Sequence, residues 1–279
     1  MKAREVKKIV KGHPTIDGAG VKLIRVFGRD DVHDIDPFLM FDAFGSENPD
    51  DYIKGFPMHP HRGIETITYL LEGRVDHRDS LGNSDTLHDG DLQWMTAGSG
   101  ILHEEMPKET KKLDGLQFWL NLPNESKMVP PNYFPISPDM VKEIDISGGK
   151  IKLISGEYLG EKGVEPKYVQ ATMMDVFLAK EAAHDIAVPL EQNTFIYVLE
   201  GAAHFGARRT YVEKHSAAIF SDGDFITISA SELGVRFVLL AGKPLGEPIA
   251  WGGPIVMNTD EEIRTAFSEL KQGTFIKQQ

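Results

Sequence analysis

His59-Pro-His61 and, after a short break, Ile64-Glu-Thr-Ile-Thr-Tyr-Leu-Leu-Glu-Gly73 form the stretch on which the reading of this chain turns. The run from Ile64 to Leu71 is rich in β-branched and aromatic residues, and Glu72-Gly73 closes it as a turn, so it reads as a strand. On a strand, side chains two apart share a face. His59 and His61 therefore aim together. A second pair with the same spacing, His103 and Glu105, follows within Ile101-Leu-His-Glu-Glu-Met106, and Glu104 between them points away. Two such strands facing one another across a barrel bring three imidazoles and one carboxylate to one point. That is a donor set for a divalent transition metal, with positions left for water, oxygen or substrate. The helical zinc-protease motif is excluded, because the place of its second histidine is taken by Pro107, which cannot sit inside a helix.

Working outward, Asp89-Gly90-Asp91 is a turn that opens a strand over Leu92–Thr96, and Gly98-Ser-Gly100 leads into the second pair. An internal repeat then appears: Thr68-Tyr-Leu-Leu-Glu-Gly73 matches Ile196-Tyr-Val-Leu-Glu-Gly201, and Asp89-Gly90-Asp91 matches Asp222-Gly223-Asp224. Carrying the repeat's offsets onto the ligand pairs lands on Ala187, Pro189, Arg236 and Val238, which form no metal shell. The expected organisation is all-β: two tandem β-barrels, residues 1–130 with the metal and 131–279 without it. The proline-rich segment from Pro123 to Pro138 joins them. One helix is expected at the C-terminus. Thr259-Asp-Glu-Glu262 reads as a capping box, and Ile263, Ala266, Phe267 and Leu270 make an apolar stripe ending near Gly273.

The chain has 279 residues, no cysteine and a net charge of −12. Disulfides and thiol chemistry are excluded. Acidity disfavours direct nucleic-acid binding, which needs Lys and Arg against phosphate. No apolar run approaches a membrane span, and the basic Met1–Lys8 stretch lacks a following apolar segment, so a cytoplasmic location is expected.

The stretches Phe56–Gly73 and Gly90–Pro107 together resemble the signatures of the pirins, a family of bicupins; Pro37–Asp42 and Trp251–Asn258 add to the resemblance. It implies one metal, usually iron, in the N-terminal barrel, held at the positions of His59, His61, His103 and Glu105. It also implies one of two roles. Some pirins act as quercetin 2,3-dioxygenases, opening a flavonol ring with oxygen; others are described as regulators of transcription acting through protein partners.

The donor set suits Fe(II) first, with Cu, Ni, Mn or adventitious Zn as alternatives. Glu105 is the expected catalytic base if it leaves the metal, and a flavonol is the expected substrate. Glu65 is a rival ligand, since residues 59, 61, 63 and 65 share a face on an ideal strand. Phe56, Met58, Trp94 and Met106 are candidate apolar walls. His13, His33, His77, His88, His184, His204 and His215 read as surface or satisfied core. Gly18-Ala-Gly20 precedes a strand pattern and is not a dinucleotide loop. The alternative to an oxygenase is a metal-containing regulatory protein without turnover.

Overall fold

The computed structural model describes residues 1–277. In chain order the strands are β1 (Val6–Val10), β2 (His13–Asp17), β3 (Val21–Phe27), β4 (Phe38–Ser46), β5 (Phe56–His61), β6 (Ile64–Glu72), β7 (Val75–Asp79), β8 (Ser84–Leu87), β9 (Leu92–Thr96), β10 (Ile101–Pro107), β11 (Leu113–Asn121) and β12 (Asn132–Ile136). The second half continues with β13 (Lys142–Ile146), β14 (Gly149–Ser155), the short hairpin β15 (Glu157–Tyr158) and β16 (Glu161–Lys162), then β17 (Ala171–Leu178), β18 (Ala183–Ala187), β19 (Asn193–Phe205), β20 (Thr210–Glu213), β21 (Ala217–Phe220), β22 (Phe225–Gly242), β23 (Ala250–Gly252) and β24 (Ile255–Met257).

The strands build two cupin domains, as expected, but the compact units do not follow a single cut at residue 130. One unit comprises His13–Arg29, Phe38–Pro138 and Leu245–Gln279; the other comprises Met1–Gly12, Asp30–Pro37 and Asp139–Pro244. The C-terminal helix therefore belongs with the first barrel, not the second.

In the first barrel a seven-stranded sheet runs β12-β9-β6-β11-β4-β3-β2, and a four-stranded sheet runs β5-β10-β7-β8. Gly63, with φ at 76°, separates β5 from β6 and sends them into different sheets. In the second barrel one sheet runs β1-β21-β19-β22-β17-β14-β13, with β18 on β22 and β20 on β19. Its two longest strands, β19 and β22, each run through positions that the first barrel divides between β6 and β7, and between β10 and β11. Its interior is continuous hydrocarbon, including Leu153, Met174, Ile196, Phe205, Phe237 and Leu239, all buried.

The C-terminal helix spans Asp260–Gln272, with the expected capping box at Thr259 and Glu262 and a left-handed Gly273 at its end. Ala266 is buried among Ile255, Met257 and Phe275, and Ile263 and Leu270 pack against that cluster. Phe267 departs from the expected stripe: it is 39% exposed. No helix among the described residues is long and apolar enough to cross a membrane.

Candidate metal centre

Strands β5 and β10 pair antiparallel, with His103 opposite His59 and Ile101 opposite His61. A register shift between His103 and Glu105 interrupts this ladder; on the other side of β10, His103 faces Asp79 and Glu105 faces His77. The alternation of β5 and β10 thus carries His59, His61 and His103 to one place, and their ligand atoms lie within 4.8 Å of one another.

The hydrogen bonds of the three rings show what this place is suited to hold. His59 Nδ1 lies 3.0 Å from the Pro57 carbonyl oxygen, and His61 Nδ1 lies 3.0 Å from the Pro254 carbonyl oxygen. A carbonyl only accepts, so each Nδ1 carries the proton and each Nε2 presents a lone pair. Those two Nε2 atoms face each other at 3.1 Å. His103 is fully buried with neither ring nitrogen partnered by the protein. A proton could relieve the opposed lone pairs only by charging a ring. Burial opposes that: it lowers His61 to about 3, with His59 adding to the effect, and pushes His103 well below the usual imidazole range. Three imidazoles whose ring nitrogens converge, two of them held neutral by burial, fit a transition-metal cation.

The carboxylates behave differently from the histidines. Glu105 lies outside the histidine cluster. Its Oε1 is 2.9 Å from the Thr68 hydroxyl and accepts a hydrogen bond from the Gln93 amide. Glu65, the rival ligand, is held elsewhere: Trp94 Nε1 donates to its Oε2 at 3.1 Å and Thr96 Oγ1 to its Oε1 at 2.7 Å. The bend at Gly63 breaks the alternation that linked residue 65 to residues 59 and 61. On β6, Glu65 also faces opposite to Thr68, which lines the cavity.

That cavity, about 750 Å³, opens beside His59, His61 and Glu105. Its apolar lining includes Val21, Leu23, Phe44, Phe56, Val75 and Leu113, with Trp119 and Trp251 as aromatic walls. Trp119 meets the His61 ring edge-on, with ring centroids 5.0 Å apart. Of the walls expected from sequence, Phe56 is present. Met58, Trp94 and Met106 do not line the cavity: Met58 and Met106 alternate with the inward residues of their strands, and Trp94 is committed to Glu65.

Several contributors were not singled out by sequence reasoning. The carbonyl of Pro254 lies 193 positions from the ring it orients, and no local pattern announces it. Buried Arg62, directly after His61, donates from Nε to the Ser99 carbonyl at 2.7 Å and from Nη2 to the Phe275 carbonyl at 2.9 Å, and pairs with Glu269. Buried Lys127 donates to the carbonyls of Gly63 (2.8 Å) and Val256 (3.0 Å) and to Asn121. Burial lowers the Lys127 ammonium to about 7, against the pull of Glu247 and Glu262. These two side chains fasten the bend after the His59–His61 pair to the C-terminal segment. His77, expected as surface or satisfied core, is fully buried, stacked on Tyr133 at 4.3 Å and 3.3 Å from Asp79 Oδ2. Its ring lies 5.5 Å from that of His103 in the histidine cluster.

Comparison with known proteins places this geometry in context. The family model Pirin matches residues 20–120, and the Pirin C-terminal cupin domain matches residues 173–276. A pirin-like protein of Caulobacter vibrioides is 40% identical over 279 residues, covering 99% of this chain and 100% of its own length. Pirin of Homo sapiens is 37% identical, covering 96% of this chain and 93% of its own. A crystal structure of quercetin 2,3-dioxygenase from Acinetobacter baumannii superposes with a TM-score of 0.90 at 34% identity, covering 98% of both chains.

Proposed function

The chain belongs to the pirin family, and on that premise we propose that it is a metal-dependent dioxygenase of the quercetin 2,3-dioxygenase type, opening a flavonol or related enol with O2. The observation that carries the reading is the meeting of opposed imidazole lone pairs with a roomy, mostly apolar cavity. Such a cavity suits a flat aromatic molecule, and the site's few polar groups converge where it would react.

In this reading His59, His61 and His103 hold one Fe(II), with Glu105 as the fourth ligand. The bound metal supplies Lewis acidity toward the enol oxygen and a redox route to O2. The protein does the rest. Glu105 would accept the enol proton on its carboxylate, which Thr68 and Gln93 hold by Oε1. Trp119 and Trp251 wall the reacting end and keep bulk water from it. The Pro254 carbonyl keeps the His61 proton on Nδ1, so that Nε2 stays free to ligate. A cytoplasmic setting is part of the same proposal.

The test is oxygen uptake with quercetin by the iron-, copper-, nickel- and manganese-loaded forms, each against apo protein and each with an anaerobic control. Turnover above the apo baseline in at least one loaded form is expected. Identical traces for every form would overturn the oxygenase reading and leave a regulator acting through a protein partner.

A further inference from the structure

The wall of the cavity is not uniformly apolar. One row of cross-strand neighbours on the seven-stranded sheet is polar throughout. Arg25 on β3 sits opposite Asp42 on β4, Asp42 opposite Gln117 on β11, Gln117 opposite Thr68 on β6, and Thr68 opposite Gln93 on β9. Four of the five, all but Gln93, line the cavity. The adjacent row, Leu23–Phe44–Gly115–Leu70, is apolar, and Gly115 leaves the space in which the Phe44 ring lies: a Cβ there would meet that ring at 2.4 Å.

The repeat supplies an internal control. Thr68 aligns with Ile196 in the repeated stretch. Ile196 pairs with Leu239 and Ala218, Leu239 with Met174, and Met174 with Leu153. The row Arg25–Asp42–Gln117–Thr68–Gln93 thus has as its counterpart Leu153–Met174–Leu239–Ile196–Ala218, every member buried in hydrocarbon. The fold does not need polar side chains on this row. Where the cavity exists, it has them.

Their hydrogen bonding leaves capacity for a ligand. The single Thr68 hydroxyl proton lies between Glu105 Oε1 (2.9 Å) and Gln117 Oε1 (2.6 Å). With Oε1 engaged there, Gln117 has its amide N–H groups to offer. Asp42 accepts from Arg25 Nε at 2.9 Å and Nη2 at 2.8 Å, one bond per oxygen, and a carboxylate accepts about four. Arg25 is pinned further by Asp17 at 2.8 Å, so the pair is held rigidly. From Thr68, beside Glu105, to Asp42 is two interstrand spacings, roughly 10 Å.

We propose that Gln117 and Asp42 are specificity-determining residues that read hydroxyl groups on the end of the substrate remote from the metal, selecting a planar aromatic molecule hydroxylated at both ends. This rests on the reading of the cavity as a flavonol site. The reacting enol lies at the Glu105 end of the row. The outer ring lies over Gln117 and Asp42, where a catechol donates to the carboxylate and accepts from the amide. An analogue without the outer hydroxyls leaves the remaining Asp42 lone pairs and the Gln117 amide N–H groups desolvated without a ligand partner, and is rejected for that reason.

The experiment measures equilibrium binding under nitrogen, so that nothing turns over. Iron-loaded protein is titrated with quercetin and with the flavonol lacking both outer-ring hydroxyls, followed by tryptophan fluorescence. Wild type is expected to prefer quercetin about tenfold or more. Gln117→Leu and Asp42→Asn should each bring the ratio toward parity, mainly by weakening quercetin. Gln117→Leu leaves the Arg25–Asp42 ion pair intact, so it reports even if Asp42→Asn fails to fold by its melting curve. Equal binding of the two flavonols by wild type, or an unchanged ratio in Gln117→Leu, overturns the inference and leaves the flavonol site standing. Binding of neither flavonol overturns both. A ratio that collapses in the variants, in protein that consumes no oxygen, supports the inference and overturns only the oxygenase reading.

Discussion

The two barrels place five side chains on corresponding cross-strand positions and choose opposite chemistries for them. One row is Arg25, Asp42, Gln117, Thr68 and Gln93 beside a cavity of about 750 Å³. The other is Leu153, Met174, Leu239, Ile196 and Ala218 in a filled core. The same holds for the strands that carry the histidine cluster. Where β5 and β10 supply His59, His61 and His103, β18 and the first half of β22 bury Ile186, Ile226, Ile228 and Ala230. The second barrel shows what the scaffold does for stability alone: it packs. The first gives up packing around a cavity and buries polar side chains on its wall, at a cost in local stability.

The sharpest way to break this comparison is to count metals. One tightly bound metal per chain is expected, and His61→Ala should reduce it to near zero by elemental analysis. Two metals per wild-type chain would mean that the second barrel has a site its buried isoleucines do not explain. A reciprocal exchange comes next. Leu239→Gln, which puts the first barrel's residue into the second barrel's row, should cost on the order of 3 kcal/mol through a buried amide without partners. Gln117→Leu, the reverse change, should stay within about 1 kcal/mol. Equal losses in thermal or urea unfolding would show that the rows are not energetically distinct.

Smaller effects sharpen the first barrel's own organisation. Glu105→Ala should weaken metal binding by about 10-fold to 100-fold in a chelator competition, and Glu65→Ala by less, because Glu65 is spent on Trp94 and Thr96. The reverse order would exchange their roles. Last is a pH effect on stability. Lys127 sits near 7 in the folded chain against an ordinary 10.5. Between these values the unfolded chain binds the extra proton, so this group's contribution favours folding increasingly as pH rises from about 7 toward 10.5. Below about 7 both states are protonated and the burial penalty is fully present. Lys127→Met should flatten the stability-versus-pH slope in that window relative to wild type. Parallel slopes would show that the Gly63, Asn121 and Val256 acceptors hold the ammonium charged throughout.

The errors of the sequence reading are as instructive as its successes. Met58 and Met106 were expected in the cavity wall, yet the alternation that joined His59 to His61 also turns residues 58 and 106 away; that correction was legible. The fixed offset that carried His103 to Arg236 and Glu105 to Val238 was misleading for another reason. The second barrel runs β10-like and β11-like segments together as β22, and Arg236 and Val238 lie in the wrong half of it. Asp89-Gly90-Asp91 precedes β9, whereas Asp222-Gly223-Asp224 follows β21, the strand in the matching place, so that second repeat match was not a structural one.

The sequence by itself determined the all-β duplicated fold, the three converging histidines of the first barrel and the capped C-terminal helix. The strands, the shared face of the histidines and the helix follow from periods of two or 3.6 and from capping contacts spanning a few residues, which are written locally, and the duplication follows from the recurrence of Thr68–Gly73 at Ile196–Gly201. Only the tertiary structure decided that Glu65 is withdrawn, that Pro254 orients His61, that the C-terminal segment completes the first barrel, and that five separated polar residues stand in one row. Each of these depends on how strands that are far apart in the chain come into register. Register is set by bulges, a left-handed glycine and the packing of whole sheets, none of which a short window of sequence contains.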